Sequence, residues 1–388
     1  MPLNPDIIDM VQKLVRFPTV SRESNMELTN FIRDYLGGLG ISSMLFPNED
    51  GSKANLYATL GPADVPGIIL SGHTDVVPVK DQNWTHEPFE PWTEDGKLFG
   101  RGTADMKSFI ALALVFCPKM LERGLKMPVH LAFSYDEEVG CTGVVSMISH
   151  IAQHQPRPKA CIVGEPTDMR VINAHKGIQS FKTKIVGAPA HSSTPEGGTN
   201  AIIAAAMLIE KISEMARSEI ETGEKDQKFM PPHTTFNIGE IKGGTAVNIV
   251  ASHASFIWEF RTLPGTNPDK LIDQFNKYAE DIVLPTLLKT APDASITTHL
   301  LASTPPLMAL ADNEAETIAM LLADTTESGA VAYATEAGHF QKTAEIPTVV
   351  CGPGSIDQAH KEDEFITLDQ LALGEQFFEK LLDIICIN

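Results

Sequence analysis

Gly67-Ile68-Ile69-Leu70-Ser71-Gly72-His73-Thr74-Asp75 is an apolar run that ends on an imidazole and a carboxylate. Short apolar, β-branched runs between turn signals predict buried strands. The same design recurs along the chain. Val129-His130-Leu131-Ala132-Phe133-Ser134 leads to Asp136-Glu137-Glu138, and Ala160-Cys161-Ile162-Val163-Gly164 leads to Glu165. His360 lies beyond Thr348-Val349-Val350-Cys351, and Asp105 precedes the apolar stretch Phe109 to Phe116. In open α/β sheets the ligand crevice lies at the carboxyl ends of the strands. Repetition of this pattern therefore aims His73, Asp105, Glu137, Glu138, Glu165 and His360 at one place. That donor set suits Zn²⁺ or a similar first-row metal, and it reads as a two-metal hydrolytic site.

Short apolar strands alternate with helical segments from about residue 40 to 175, the mark of an α/β sheet with crossover helices. Helices are predicted from Ile7 to Val15, from Met26 to Leu39 and from Leu368 to Ile385. The polar, aromatic stretch Asp81 to Gly96 reads as a loop over the site. Near Lys176 the pattern changes to strand-helix-strand-strand-helix-strand, the order of a split βαβ, ferredoxin-like module. Its predicted strands are Phe181–Val186, Phe236–Ile241, Asn248–Phe260 and Ile296–Leu301. Its helices are Asn200–Ile220 and Pro268–Lys289, the second broken at Pro285. All four strands fall between Glu165 and His360, so the module is expected as an insertion, residues 181–301. The α/β domain then comprises 1–180 and 302–388.

The bulk numbers agree with a soluble enzyme. A chain of 388 residues suggests about two domains at roughly 150 residues each. Apolar residues make up 43% and charged residues 21%, as in ordinary globular proteins. The net charge of −20 disfavours nucleic acid and anionic membrane as partners, since both need a basic face. The start shows no basic and apolar signal segment, and no apolar run reaches the roughly 18 residues of a membrane span. Five widely spaced cysteines without C-x-x-C read as reduced and buried, so a cytoplasmic location is expected.

Each motif taken singly has a plainer reading. His73-Thr74-Asp75 is also what a satisfied histidine beside an aspartate looks like; in the metal reading, the Asp75 carboxylate holds the other imidazole nitrogen. Gly100-Arg101-Gly102-Thr103-Ala104-Asp105 matches neither phosphate-loop pattern, and Asp105 is equally suited to cap a helix. Asp136-Glu137-Glu138 reads as a solvated loop unless cations relieve its repulsion. Two adjacent glutamates can divide labour, one binding metal and one acting as general base. The strength lies in five places that share one strand-end context.

These segments resemble the M20 metallopeptidase family. Ser71 to Pro78, Gly100 to Lys107, Ser134 to Gly140 and Gly164-Glu165-Pro166-Thr167 look like its successive metal motifs, in order, over nearly the whole chain. Tyr135 to Cys141, Thr335 to Gln341 and Gly352 to His360 resemble the family's enzymes that act on N2-acetyl-L-ornithine. The resemblance implies a mixed-sheet, zinc-peptidase-like catalytic domain with an inserted ferredoxin-like dimerisation domain. It implies two Zn²⁺ per subunit, replaceable by Co²⁺ and about 3.5 Å apart. Asp105 would bridge them, His73 and Glu165 would hold one, and Glu138 and His360 the other. Glu137 would be the general base.

Within the insertion, His191 matches a residue that reaches the partner subunit's site in a homodimer, and Asn248 and Arg261 match substrate contacts. Glu336 is expected to meet a substrate ammonium. The implied reaction is amide hydrolysis of N2-acetyl-L-ornithine to acetate and ornithine. Succinyl-diaminopimelate, acetylcitrulline or a dipeptide are alternative substrates. A non-catalytic metal-binding dimeric scaffold is the alternative of a different class. Ser108, Ala188 and Ala334 depart from the family pattern and bear on substrate and dimer geometry, not on reaction type.

Overall fold

The computed structural model describes residues 3–153 and 156–386; Met1 and Pro2, part of the start read above, lie outside them. The chain divides into two compact units. One comprises Met1–His175, Leu307–Ala330 and Thr335–Asn388, the other Lys176–Pro306 with Val331–Ala334.

The first unit is built on an eight-stranded mixed sheet. Its order is Ser43–Pro47, Ala54–Leu60, Val129–Ser134, Ile68–His73, Ala160–Val163, Thr348–Val350, Val171–His175 and Ser328–Val331. The middle four strands run parallel. Parallel strands are covered on both faces and so read as continuous apolar runs. Ile68–His73, Val129–Ser134 and Ala160–Val163 are buried at every residue. Register then does the positioning: His73 lies opposite Ser134, and Ser71 opposite Val163. The residues that follow these strands therefore emerge at one edge of the sheet.

The helix Lys107–Arg123 covers this sheet with Phe109, Ile110, Leu112 and Phe116, all buried. Its approach depends on Gly164. A Cβ there would stand 2.0 Å from Cγ of Phe109, a distance no side chain tolerates. Asp81 to Gly96 is not wholly loop, because Trp92–Glu94 pairs with Lys97–Phe99, which in turn pairs with Phe365–Thr367.

The second unit is a four-stranded antiparallel sheet in the order Thr235–Gly243, His253–Thr262, Gly177–Val186, Ser295–Thr304. With helices Ala201–Glu221 and Pro268–Tyr278 this is the expected ferredoxin-like order. Phe181, Trp258, Phe260 and Phe275 centre its core, and Trp258 Nε1 donates to Thr183 Oγ1 at 3.0 Å. Its main segment runs from Lys176 to Pro306, wider than 181–301, because its first and last strands in sequence extend to Gly177 and Thr304. Asn248 to Ser252 precedes its strand rather than belonging to it. The helix after Pro268 changes to a wider helical turn at Ala279–Val283, and Pro285 sits in the first turn of the next helix.

Candidate metal centre

His73 closes its strand with 1% exposure. Its Nδ1 lies 2.8 Å from the main-chain oxygen of Asp75, and its Nε2 lies 2.9 Å from Asp105 Oδ1. The expected role of the Asp75 carboxylate is thus taken by the Asp75 carbonyl, since the carboxylate is 3.7 Å from that nitrogen. One intervening residue lets the backbone curl back on the ring. The Asp75 side chain instead accepts from Ser21 Oγ at 2.6 Å and from the N–H groups of Glu137 and Glu138 at 3.1 and 3.4 Å. It pins the turn that carries both glutamates.

Asp105 caps no helix. Met106 occupies the cap position of Lys107–Arg123 and makes no side-chain bond. The Asp105 carboxylate reaches His73 through Oδ1 and His360 Nε2 through Oδ2 at 3.2 Å. His360 Nε2 also lies 3.0 Å from Glu138 Oε2, and Glu165 Oε2 lies 3.8 Å from His73 Nε2. Possible ligand atoms of His73, Glu137 and Glu165 fall within 4.8 Å of one another, as do those of His73, Asp105 and Glu138. Asp136, first of the acidic triplet, stands apart. It pairs with Lys53 and accepts from the Arg22 N–H at 2.8 Å.

The electrostatics of this cluster call for cations. Burial, then the charge of Asp105, pushes Glu165 up to about 8 and Glu138 up to about 7. Burial and Glu165 push Glu137 well above the usual carboxylate range. Burial opposes charge on His73, but Glu165 and Asp105 overcome it and raise the imidazole well above its ordinary value. Hydrogen bonds to Asp105 and Glu138 raise His360 to about 10. Carboxylates crowded in a dry site share protons unless a positive ion replaces them. Glu165 Oε1 is also buried with no hydrogen-bond partner among the described residues. An orphaned carboxylate oxygen beside imidazole and carboxylate donors fits a divalent metal of the zinc type.

The other expected residues are placed differently. Glu336 is fully buried; its oxygens accept from Ser71 Oγ at 2.5 Å and Ser134 Oγ at 2.7 Å. That seat beneath the strand ends ties two ligand-bearing strands together, and it leaves no open face for a substrate ammonium. His191, Asn248 and Arg261 belong to the second unit. His191 is exposed, with Nδ1 2.7 Å from Ser193 Oγ, and Ser192 N–H donates to the main-chain oxygen of Asn248 at 3.0 Å. Arg261 Nε donates to Glu259 Oε1 at 2.9 Å. Sequence reading missed Cys141, whose Sγ lies 3.1 Å from Glu137 Oε1. The spacing of four residues after Glu137, across Gly140, was the available signal.

Comparison with known proteins identifies the family and the fold. Residues 69–384 match the model of peptidase family M20/M25/M40. The acetylornithine deacetylase of Proteus mirabilis is 33% identical over 393 residues, covering 99% of this chain and 97% of that protein. The acetylornithine deacetylase of Photorhabdus laumondii is likewise 33% identical, covering 99% and 98%. Among solved structures, an M20 family metallo-carboxypeptidase from Sulfolobus solfataricus superposes with a TM-score of 0.76 at 18% identity, covering 98% of this chain and 99% of that one. A dinuclear metal-binding M20 peptidase of Bacillus subtilis gives 0.63 at 17%, covering 97% of each. The strand-end cluster thus sits in the fold those peptidases share, and this chain belongs to peptidase family M20/M25/M40, a hydrolytic enzyme of the deacylase or peptidase kind.

Proposed function

We propose that this chain hydrolyses N2-acetyl-L-ornithine to acetate and L-ornithine with two Zn²⁺ per subunit. The observation that carries the metal chemistry is the single Asp105 carboxylate that reaches both imidazoles, flanked by Glu138 and Glu165. His73, Glu165 and Asp105 would hold one ion, and Asp105, Glu138 and His360 the other. When bound, the ions would acidify the attacking water and polarise the acyl carbonyl. The full-length likeness to two acetylornithine deacetylases supports the substrate.

Glu137 takes the proton of the attacking water and passes it to the leaving amine. Its burial supports that role, because a carboxyl pushed up toward neutrality both accepts and returns a proton. The Asp75 carboxylate fixes the turn beneath it. His191 and Asn248 stabilise the developing oxyanion and orient substrate, and Arg261 receives the α-carboxylate. We assign His191 to the partner's site in a homodimer formed by the second unit. Exposed Ile203, Ile241, Val247 and Ile249 in that unit support an apolar contact. The five cysteines are buried and none forms a disulfide among the described residues, in keeping with a reducing, cytoplasmic setting. No helix among the described residues is long and apolar enough to cross a membrane.

The test is a panel of acetylornithine, acetylcitrulline, succinyl-diaminopimelate and a dipeptide, assayed with metal-free and Zn²⁺- or Co²⁺-loaded protein. Acetylornithine should give the highest kcat/KM, and only in the loaded protein. A preference for another member reassigns the substrate, and turnover by the metal-free protein overturns the chemistry. Mixing His191→Ala with Glu137→Ala protein should restore part of the activity. No recovery after confirmed subunit exchange places His191 outside the partner's site.

A further inference from the structure

The turn that delivers Asp105 is folded around a carboxylate that the proposed reaction does not use. Glu364 is 1% exposed. Its Oε1 accepts from the N–H groups of Ala104 at 2.9 Å and Asp105 at 3.1 Å. Its Oε2 accepts from the Gly102 N–H at 3.0 Å and from Arg101 Nη1 at 2.7 Å. The Gly100 N–H donates to its main-chain oxygen at 2.9 Å. Each carboxylate oxygen has two donors, which uses about all the acceptor capacity an ionised carboxylate has. Gly102, at φ 89°, supplies a conformation that L side chains rarely adopt, so the turn can present its amides inward.

Arg101, also 1% exposed, carries the connection onward. Its Nη1 donates to the Lys361 oxygen at 3.2 Å and its Nη2 to Gln82 Oε1 at 2.5 Å. The guanidinium lies 5.0 Å from the Trp84 ring. Gln82 Nε2 donates in turn to the main-chain oxygen of His360 at 2.9 Å. One continuous hydrogen-bonded path thus runs from the backbone of Asp105 through Glu364, Arg101 and Gln82 to the backbone of His360.

We propose that Glu364 and Arg101 are positioning residues of the metal centre, which set Asp105 and His360 in register before any ion binds. Glu364 gathers the turn that carries Asp105. Arg101, with Gln82, fastens the His360 loop to that turn. Without this path, the half-exposed His360 would be held by its contacts to Asp105 and Glu138 alone. The inference rests on the reading of the cluster as a metal site, and it assigns these residues no contact with substrate.

The experiment titrates Zn²⁺ into metal-free full-length protein by calorimetry and records the visible spectrum of the Co²⁺ form. Wild type is compared with Glu364→Gln, Arg101→Lys and Gln82→Leu. Glutamine keeps the shape of Glu364 but sets an NH2 group against amide donors. Partners of this outer kind are worth about 10- to 100-fold in metal affinity. Glu364→Gln and Arg101→Lys should bind Zn²⁺ that much more weakly and shift the Co²⁺ bands. Gln82→Leu, which leaves the buried pair intact, should lose less affinity while keeping the wild-type melting temperature. Folded Glu364→Gln with wild-type affinity and spectrum overturns the proposal. If that variant does not fold, wild-type affinity and spectrum in both other variants overturn it. A wild-type protein that binds no metal removes the reading of the centre itself, and this proposal with it.

Discussion

His73 and His360 converge on one carboxylate, yet they are built in opposite ways. His73 ends a strand buried at every residue, and its ring is fixed by a carbonyl two residues on. His360 sits on a loop at φ 64°, with its side chain 51% exposed. Sheet register and a carbonyl close in sequence aim the first. The second depends on side chains distant in sequence, namely Gln82 and, through Arg101, Glu364. A centre assembled this way has an inner half whose geometry is set by the core and an outer half whose geometry is set by polar contacts between side chains distant in sequence.

The largest expected effect separates the halves directly. His73→Ala should lose the ion assigned to His73, Glu165 and Asp105 and weaken the other, because the shared Asp105 carboxylate then loses the imidazole that fixes its Oδ1. His360→Ala should retain one equivalent, held by His73, Glu165 and Asp105. Metal analysis after dialysis reads both, and two ions retained by His73→Ala would break the comparison. Next in size, Glu137→Gln should lower kcat by about 10²- to 10⁴-fold, the usual worth of a positioned base, with metal content unchanged. Loss of the ions would make Glu137 a ligand instead.

A third effect concerns pH. The carboxyls of Glu138 and Glu165 are raised to about 7 and about 8 by burial and Asp105. A carboxyl raised in the folded state holds a proton that the unfolded chain has released. Its contribution is complete below the unfolded pKa, near 4.3, and is lost as pH rises through the folded one. His73 and His360, raised by Asp105 and its neighbours, act in the same direction at higher pH. The melting temperature of metal-free protein should therefore fall between about pH 5 and pH 9. Zn²⁺ binds the deprotonated donors, so the loaded protein should hold its stability over that range. Parallel curves for the two forms would show that the cluster is not where the ions bind.

The smallest effect sharpens the inner half. The Cys141 thiol, at 3.1 Å from Glu137 Oε1, favours the ionised base. Cys141→Ala should move the acid limb of the kcat/KM profile to higher pH by a fraction of a unit, and Cys141→Ser should restore it. An unmoved limb in the alanine variant would remove the thiol from the account of the base.

How much of this was legible follows the same division. Ile68–His73, Val129–Ser134 and Ala160–Val163 announce themselves because burial on both faces demands unbroken apolar runs, and each run ends where a polar side chain begins. Partners set by long-range contact were not legible. Nothing near Asp75 in sequence says that its carbonyl, not its carboxylate, takes the His73 nitrogen. Glu364 lies more than 250 residues from the turn it gathers, so no local pattern exposes it. Glu336 reads as a pocket acid until Ser71 and Ser134 are seen to face it. The strands Trp92–Glu94 and Lys97–Phe99 left a usable sign. Asp95-Gly96, both at positive φ, is a favoured two-residue hairpin turn, hidden by strands of only three residues.

The packing of Gly164 against Phe109 limits how this sequence can vary. A methyl group at 164 would collide with the ring at 2.0 Å, and it can be accepted only if the ring retracts or the helix Lys107–Arg123 moves. Either movement would disturb Glu165 next in the chain. Positions 109 and 164 are therefore coupled. In a library randomised at both and selected for activity, survivors with a larger residue at 164 should carry a smaller one at 109, so that the pair changes together or stays as it is.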